Sequence, residues 1–167
     1  MSDATTTLIS AAAPFAAWLG ASLLYRVAMG KPLFYRRLAG VRFRETSVSG
    51  NSNRAWYTKL GGARSCLVVQ VTDHELDVHP FVPFNWFFLP EIYDLEFRVP
   101  IAQIRSVTFR TNFFAHSLRI EFTNPDAKHK SVSLVLMQAE QFIEALRSNS
   151  LFKGTLPAKE TSELAGV

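Results

Sequence analysis

The chain opens on a stretch, Ala4 to Tyr25, without a charged side chain, and then changes to short runs in which apolar and polar residues alternate. As a helix the opening stretch rises about 33 Å at roughly 1.5 Å per residue, enough for a hydrocarbon core of ~30 Å. Leu8, Ile9, Phe15, Trp18, Leu19, Leu23 and Leu24 supply its apolar character, diluted by alanines and by Thr5, Thr6, Thr7 and Ser10. The apolar residues occupy all sides of the helical wheel and leave no polar face for water. This pattern predicts a transmembrane anchor over residues 1–29. Ala13, Ala17 and Ala21 recur every fourth residue, with Ala12, Ala16 and Gly20 beside them. A face of small residues permits close approach of another membrane helix.

From Val41-Arg42-Phe43-Arg44 onward the period is that of strands. Leu67, Val69 and Val71 alternate with Cys66, Val68 and Gln70, a strand apolar on both faces and therefore central in a sheet. Thr72 to Glu75 reads as a turn into a second strand, in which Leu76 and Val78 point one way and Glu75, Asp77 and His79 the other. Leu95, Phe97 and Val99, then Ile104 to Arg110, then Leu118, Ile120 and Phe122, then Val132, Leu134 and Leu136 continue the series. Between Gln138 and Arg147 the period becomes helical, with Ala139, Phe142, Ile143 and Leu146 on one side. Arg54 to Leu60 fits either an extra strand or a loop. The expected organisation is an anchor (1–29), a basic juxtamembrane connector (30–40), a mostly β domain of α+β class (41–148) and a flexible tail (149–167).

Charge adds direction. The net charge is +4, and Arg26, Lys31, Arg36, Arg37, Arg42 and Arg44 fall in one stretch opposed only by Glu45. Beside an uncharged run, such a cluster suits an anionic membrane surface better than nucleic acid. Arg26, Lys31, Arg36 and Arg37 are the candidate headgroup-binding residues. Cations following the anchor place the N-terminus outside and the rest in the cytoplasm, as a single-pass membrane protein. Asp3, with no Lys or Arg before the apolar run, argues against a signal peptide. The single cysteine, Cys66, excludes an intramolecular disulfide and reads as a small buried hydrophobe.

A run of antiparallel strands, the Val71-Thr72-Asp73-His74-Glu75-Leu76 hairpin, the Arg98-Val99-Pro100-Ile101-Ala102-Gln103-Ile104 turn and a terminal Gln141-Phe142-Ile143 helix together resemble the pleckstrin-homology-like (PH-like) superfamily, in its GRAM and bacterial forms. The resemblance covers roughly Val41 to Arg147. It implies a bent, nearly closed antiparallel barrel plugged by the C-terminal helix, used for lipid headgroups, peptides or assembly contacts and not for catalysis. The early strands depart from a phosphoinositide pattern, contributing only Lys59 and Arg64.

The most unusual feature of the domain is Phe81 to Tyr93, where alternation fails and Phe84, Trp86, Phe87, Phe88 and Tyr93 crowd between prolines. Two readings stand: an interface loop that meets lipid or protein, or rings folded back over the barrel or onto the Lys31 to Leu38 connector. Glu75, Asp77 and His79 share a strand face and resemble metal ligands in type, but a polar outer strand face explains them without a metal. No nucleophile elbow, phosphate-binding glycine loop or HExxH pattern appears, so neither an enzyme nor a cofactor is expected. The expected function is a membrane-anchored interaction module, an accessory or scaffold subunit that meets membrane lipids and other transmembrane helices, in a larger complex or a homo-oligomer. The alternative is a lipid-headgroup sensor using Lys59, Arg64 and the connector.

Overall fold

The structure, a computed structural model, describes residues 3–35, 38–52, 62–87, 95–112, 115–123 and 129–157. The alternating runs form strands β1 (Phe43–Ser52), β2 (Ala63–Val71), β3 (Glu75–Pro80), β4 (Phe97–Pro100), β5 (Ile104–Asn112), β6 (Ala115–Thr123) and β7 (His129–Val135). The opening stretch is helix α1 (Asp3–Ala28), and the amphipathic stretch after β7 is helix α2 (Ala139–Arg147). The domain is mostly β, as expected: one antiparallel sheet in the order β4-β3-β2-β1-β7-β6-β5, followed by a helix. The ambiguous Arg54 to Leu60 stretch lies outside the described residues.

β1 serves both halves of the sheet. Phe43 to Thr46 pair with β2 and Ser49 to Ser52 with β7, and the register shifts on either side of Val48, where Ser47 has φ 63°. An extra residue of this kind bends and twists a strand, so the inner faces of the two halves share one core. Gly50 sits in the bend, where a Cβ would stand 2.7 Å from Leu134 Cδ2 and 3.0 Å from Leu67 Cδ1. Leu67, Val69, Leu76 and Val78 from one half meet Val107, Leu118, Ile120 and Leu134 from the other, with Phe142 and Leu146 of α2 in the same cluster.

α2 begins without a side-chain cap from Gln138. Its start is met from β1 instead: the buried Glu45 carboxylate accepts the N–H groups of Met137 at 2.7 Å and Gln138 at 2.9 Å. A carboxylate there complements the positive end of the helix dipole as well.

Two expectations need correction or qualification. The tail is not structureless from Asn149 onward: Asn149 Nδ2 donates to the Thr72 and Asp73 carbonyls, and Phe152 and Leu156 pack against the core. Thr155 lies beside Ser106 as a parallel bridge, accepting Val107 N–H and donating to Arg105 O, both at 2.9 Å. These are single backbone contacts, which periodicity does not reveal; residues 158–167 lie outside the described set. The opening stretch does form a helix, yet among the described residues no helix is long and apolar enough to cross a membrane.

Candidate functional site

After α1 the chain doubles back, beginning with Lys31 N–H donating to Arg26 O at 2.9 Å. Residues 31–35 run back beside the outer face of β3, where Tyr35 meets His79, and a joint between helix and sheet forms there. The Arg26 side chain is 0% exposed. Its Nη1 donates to Glu96 Oε2 at 3.1 Å, and Nη2 donates to Glu96 Oε1 at 3.4 Å, Pro32 O at 3.0 Å and Tyr35 Oη at 2.9 Å. A planar guanidinium suits such a fork, which fixes direction as well as distance.

Tyr35 then stacks on His79, with ring centroids 4.0 Å apart and planes 17° apart. His79 Nδ1 lies 2.9 Å from Asp77 Oδ2, and Arg98 Nε donates to Asp77 Oδ1 at 3.4 Å. Burial, and next the Glu96 carboxylate, push the Tyr35 phenol well above the ordinary tyrosine range. The outer face of β3, expected to meet solvent, is therefore closed: Asp77 and His79 are buried because the connector folds over them. An enclosed pair of this kind joins elements together; it presents no acid or base to solvent. Among the described residues, no group of three or more His, Cys, Asp or Glu side chains is placed to hold a metal ion.

The aromatic loop leans on the same joint. Asn85 Nδ2 and Trp86 Nε1 both donate to Leu33 O, at 2.7 and 3.2 Å. Phe34 meets Trp86 edge-on at 5.9 Å, Phe81 meets Phe84 at 5.2 Å, and Phe87 reaches across to Phe15 of α1 at 5.7 Å. Trp86 and Phe87 thus contact the connector and the helix, while Phe84 stays exposed. Phe88 and Tyr93 lie outside the described residues.

The remaining expected sites are placed as follows. Arg26 does not stand among headgroups on the described surface: its charge is spent on Glu96 and Tyr35. Lys31 stands 3.9 Å from the same Glu96, and Arg36 and Arg37 lie outside the described residues. Of the anchor residues, Leu8 and Ile9 belong to the first half of α1, Leu19 and Leu23 are half-buried, and Phe15, Trp18 and Leu24 are exposed. Ala13, Ala17 and Ala21 are exposed, and a Cβ on Gly20 would meet nothing within 4 Å. Cys66 is buried, and burial pushes its thiol up.

The residues that sequence reasoning missed are Glu96, Tyr35, Asn85 and Ser22, all at this joint. Glu96 stands between Leu95 and Phe97 as an ordinary outward strand residue, so no local signal distinguished it.

The helix itself is inverted. Among its described side chains Ser22 and Arg26, one turn apart, are the buried ones, whereas Leu24 is 73% exposed, Val27 61% and Trp18 53%. A helix that docks on a soluble domain normally does the reverse. Compared with protein-family models and with curated proteins, the chain matches none.

Proposed function

We propose that this chain is a membrane-anchored interaction module, an accessory or scaffold subunit, whose helix α1 lies in a bilayer and holds a PH-like barrel at the cytoplasmic face. The observation that carries the reading is the inverted burial of α1. Its polar Ser22 and Arg26 face the protein, and Phe15, Trp18, Leu24 and Val27 face outward. Contiguous apolar exposure of this kind marks contact with lipid or with another apolar surface. The exposed Ala13, Ala17 and Ala21 give a second membrane helix room to approach. The cations that follow α1 favour the cytoplasmic side for the domain. The PH-like part is supported by a meander of β1 to β4, by β1 bending to pair with β7 as well, and by α2 closing the shared core. The module acts by holding partners together, without catalysis.

The test is extraction. Expressed in full, the chain should stay with membranes through an alkaline wash and leave them only in detergent. Replacing Trp18, Leu24 and Val27 by Ser should release it while the circular dichroism of the sheet stays unchanged. Full-length protein found in the wash with α1 intact would remove the reading.

A further inference from the structure

The contact between Phe87 and Phe15, ring centroids 5.7 Å apart, lies far from the barrel end of the helix. Phe15 precedes Arg26 by about three turns, roughly 16 Å of helix axis at about 1.5 Å per residue. Arg26 is the residue that ties α1 to the sheet through Glu96. The loop that leaves β3 therefore climbs beside the helix by about half the thickness of a ~30 Å hydrocarbon core.

We infer that the loop Phe81 to Phe87 is a second membrane-inserting element, riding on α1 and carrying its aromatic side chains into the acyl-chain region of the bilayer. The inference rests on the reading that α1 lies in the membrane, and it names the loop's partner as lipid hydrocarbon.

Irregular backbone survives in hydrocarbon only where its polar groups are met within the protein; in this loop four backbone N–H groups are so met, while Asn85 Oδ1 is buried without a hydrogen-bond partner among the described residues. Phe81 N–H donates to Cys66 O at 3.0 Å, Asn85 N–H to Phe81 O at 3.3 Å, Trp86 N–H to Pro83 O at 3.0 Å and Phe87 N–H to Phe84 O at 3.4 Å. Pro80 and Pro83 carry no N–H to satisfy. The side-chain donors of Asn85 and Trp86 are both spent on Leu33 O. From Pro80 to Pro90 the sequence holds no charge, and Val82, Phe84 and the neighbouring Phe34 are exposed apolar residues. The Arg26 fork and the Trp86 bond lock loop, connector and helix into one piece, so whatever depth the helix takes, the loop takes too.

The experiment uses the full chain in lipid vesicles, with Cys66→Ala as background and single substitutions Phe15→Cys, Val82→Cys, Phe84→Cys, Phe87→Cys and Met137→Cys, each carrying a nitroxide. Collision of the label with oxygen, which concentrates in lipid, is compared with collision with a water-soluble nickel chelate. Labels at 84 and 87 should favour oxygen several-fold over the label at 137, which sits on the barrel surface, and the depth at 87 should match that at 15 within about one helical turn. Val82 and Phe84 are exposed, so their variants keep the test open if Phe87→Cys fails to fold. Labels at 82, 84 and 87 open to nickel while that at 15 is shielded would overturn the inference and leave the anchor standing. A label at 15 as open as that at 137 would overturn both.

Discussion

Inside the sheet, Val69, Leu76, Val78, Ile120 and Leu134 are shut away from water, whereas at the joint with α1 the enclosed side chains are Ser22, Arg26, Asp77 and His79. Apolar burial is non-directional and tolerant, so the interior of the sheet decides that the domain folds. The joint is directional: Arg26 reaches Glu96, Pro32 and Tyr35 at once, which sets one angle of the helix on the sheet. Buried ion pairs add little net stability but lose much when one partner is removed. The difference teaches that one region specifies the fold and the other specifies how helix α1 is held.

The comparison breaks most visibly in the core. Phe142, fully buried with its ring edge-on to Phe43 at 5.5 Å, should cost about 4 kcal/mol as Phe142→Ala, read by denaturant unfolding of the sheet. Arg26→Ala should cost about 3 kcal/mol, but locally: limited proteolysis between α1 and β1 should rise sharply while the sheet's own transition moves far less. The pair Arg26→Met with Glu96→Leu should recover most of that loss, and equal sheet destabilisation by Arg26→Ala and Phe142→Ala would erase the distinction between the two regions. Glu45→Ala, which strips two N–H groups at the start of α2 of their acceptor, should cost about 2 kcal/mol and appear as early loss of helix signal.

A smaller and pH-dependent effect belongs to Tyr35. Its folded-state value is raised from 10.0, so its contribution is complete below about pH 10 and falls as pH climbs through the raised folded value. Tyr35→Phe should remove that alkaline weakening of the joint, measured by proteolysis across the same connector. Smallest of all, Leu24→Ser on the exposed side of α1 should alter folding stability by no more than about 0.5 kcal/mol while reducing membrane retention.

Much of the fold was legible because its causes are local. Two-residue alternation over Leu67 to Val71 or Leu118 to Phe122 encodes a strand wherever the rest of the chain goes, and the spacing of Ala139, Phe142, Ile143 and Leu146 encodes α2 in the same way. The joint was not legible because Arg26 and Glu96 are 70 positions apart. Arg26 in a basic run reads as a surface cation until the connector's path is known. Asp77 and His79 read as solvent-facing for the same reason: alternation assigns them a face, and only the return of Tyr35 decides that the face is closed. The aromatic loop was recognisable as exceptional by composition, but its contacts with Leu33 and Phe15 depend on the same return path.

The single residue with which the chain borders β5 has a protective consequence. A sheet ordered from β4 to β5 ends in two margins, and the β4 margin is only 4 residues long. The β5 margin is longer, and unpaired groups along it would template the strand of any neighbouring copy. Thr155 occupies that place first, and Gly154 lets it come so near that a Cβ there would stand 2.5 Å from Arg105 O. Trimming the chain ahead of Gly154 would uncover the margin and leave a folded domain prone to self-association.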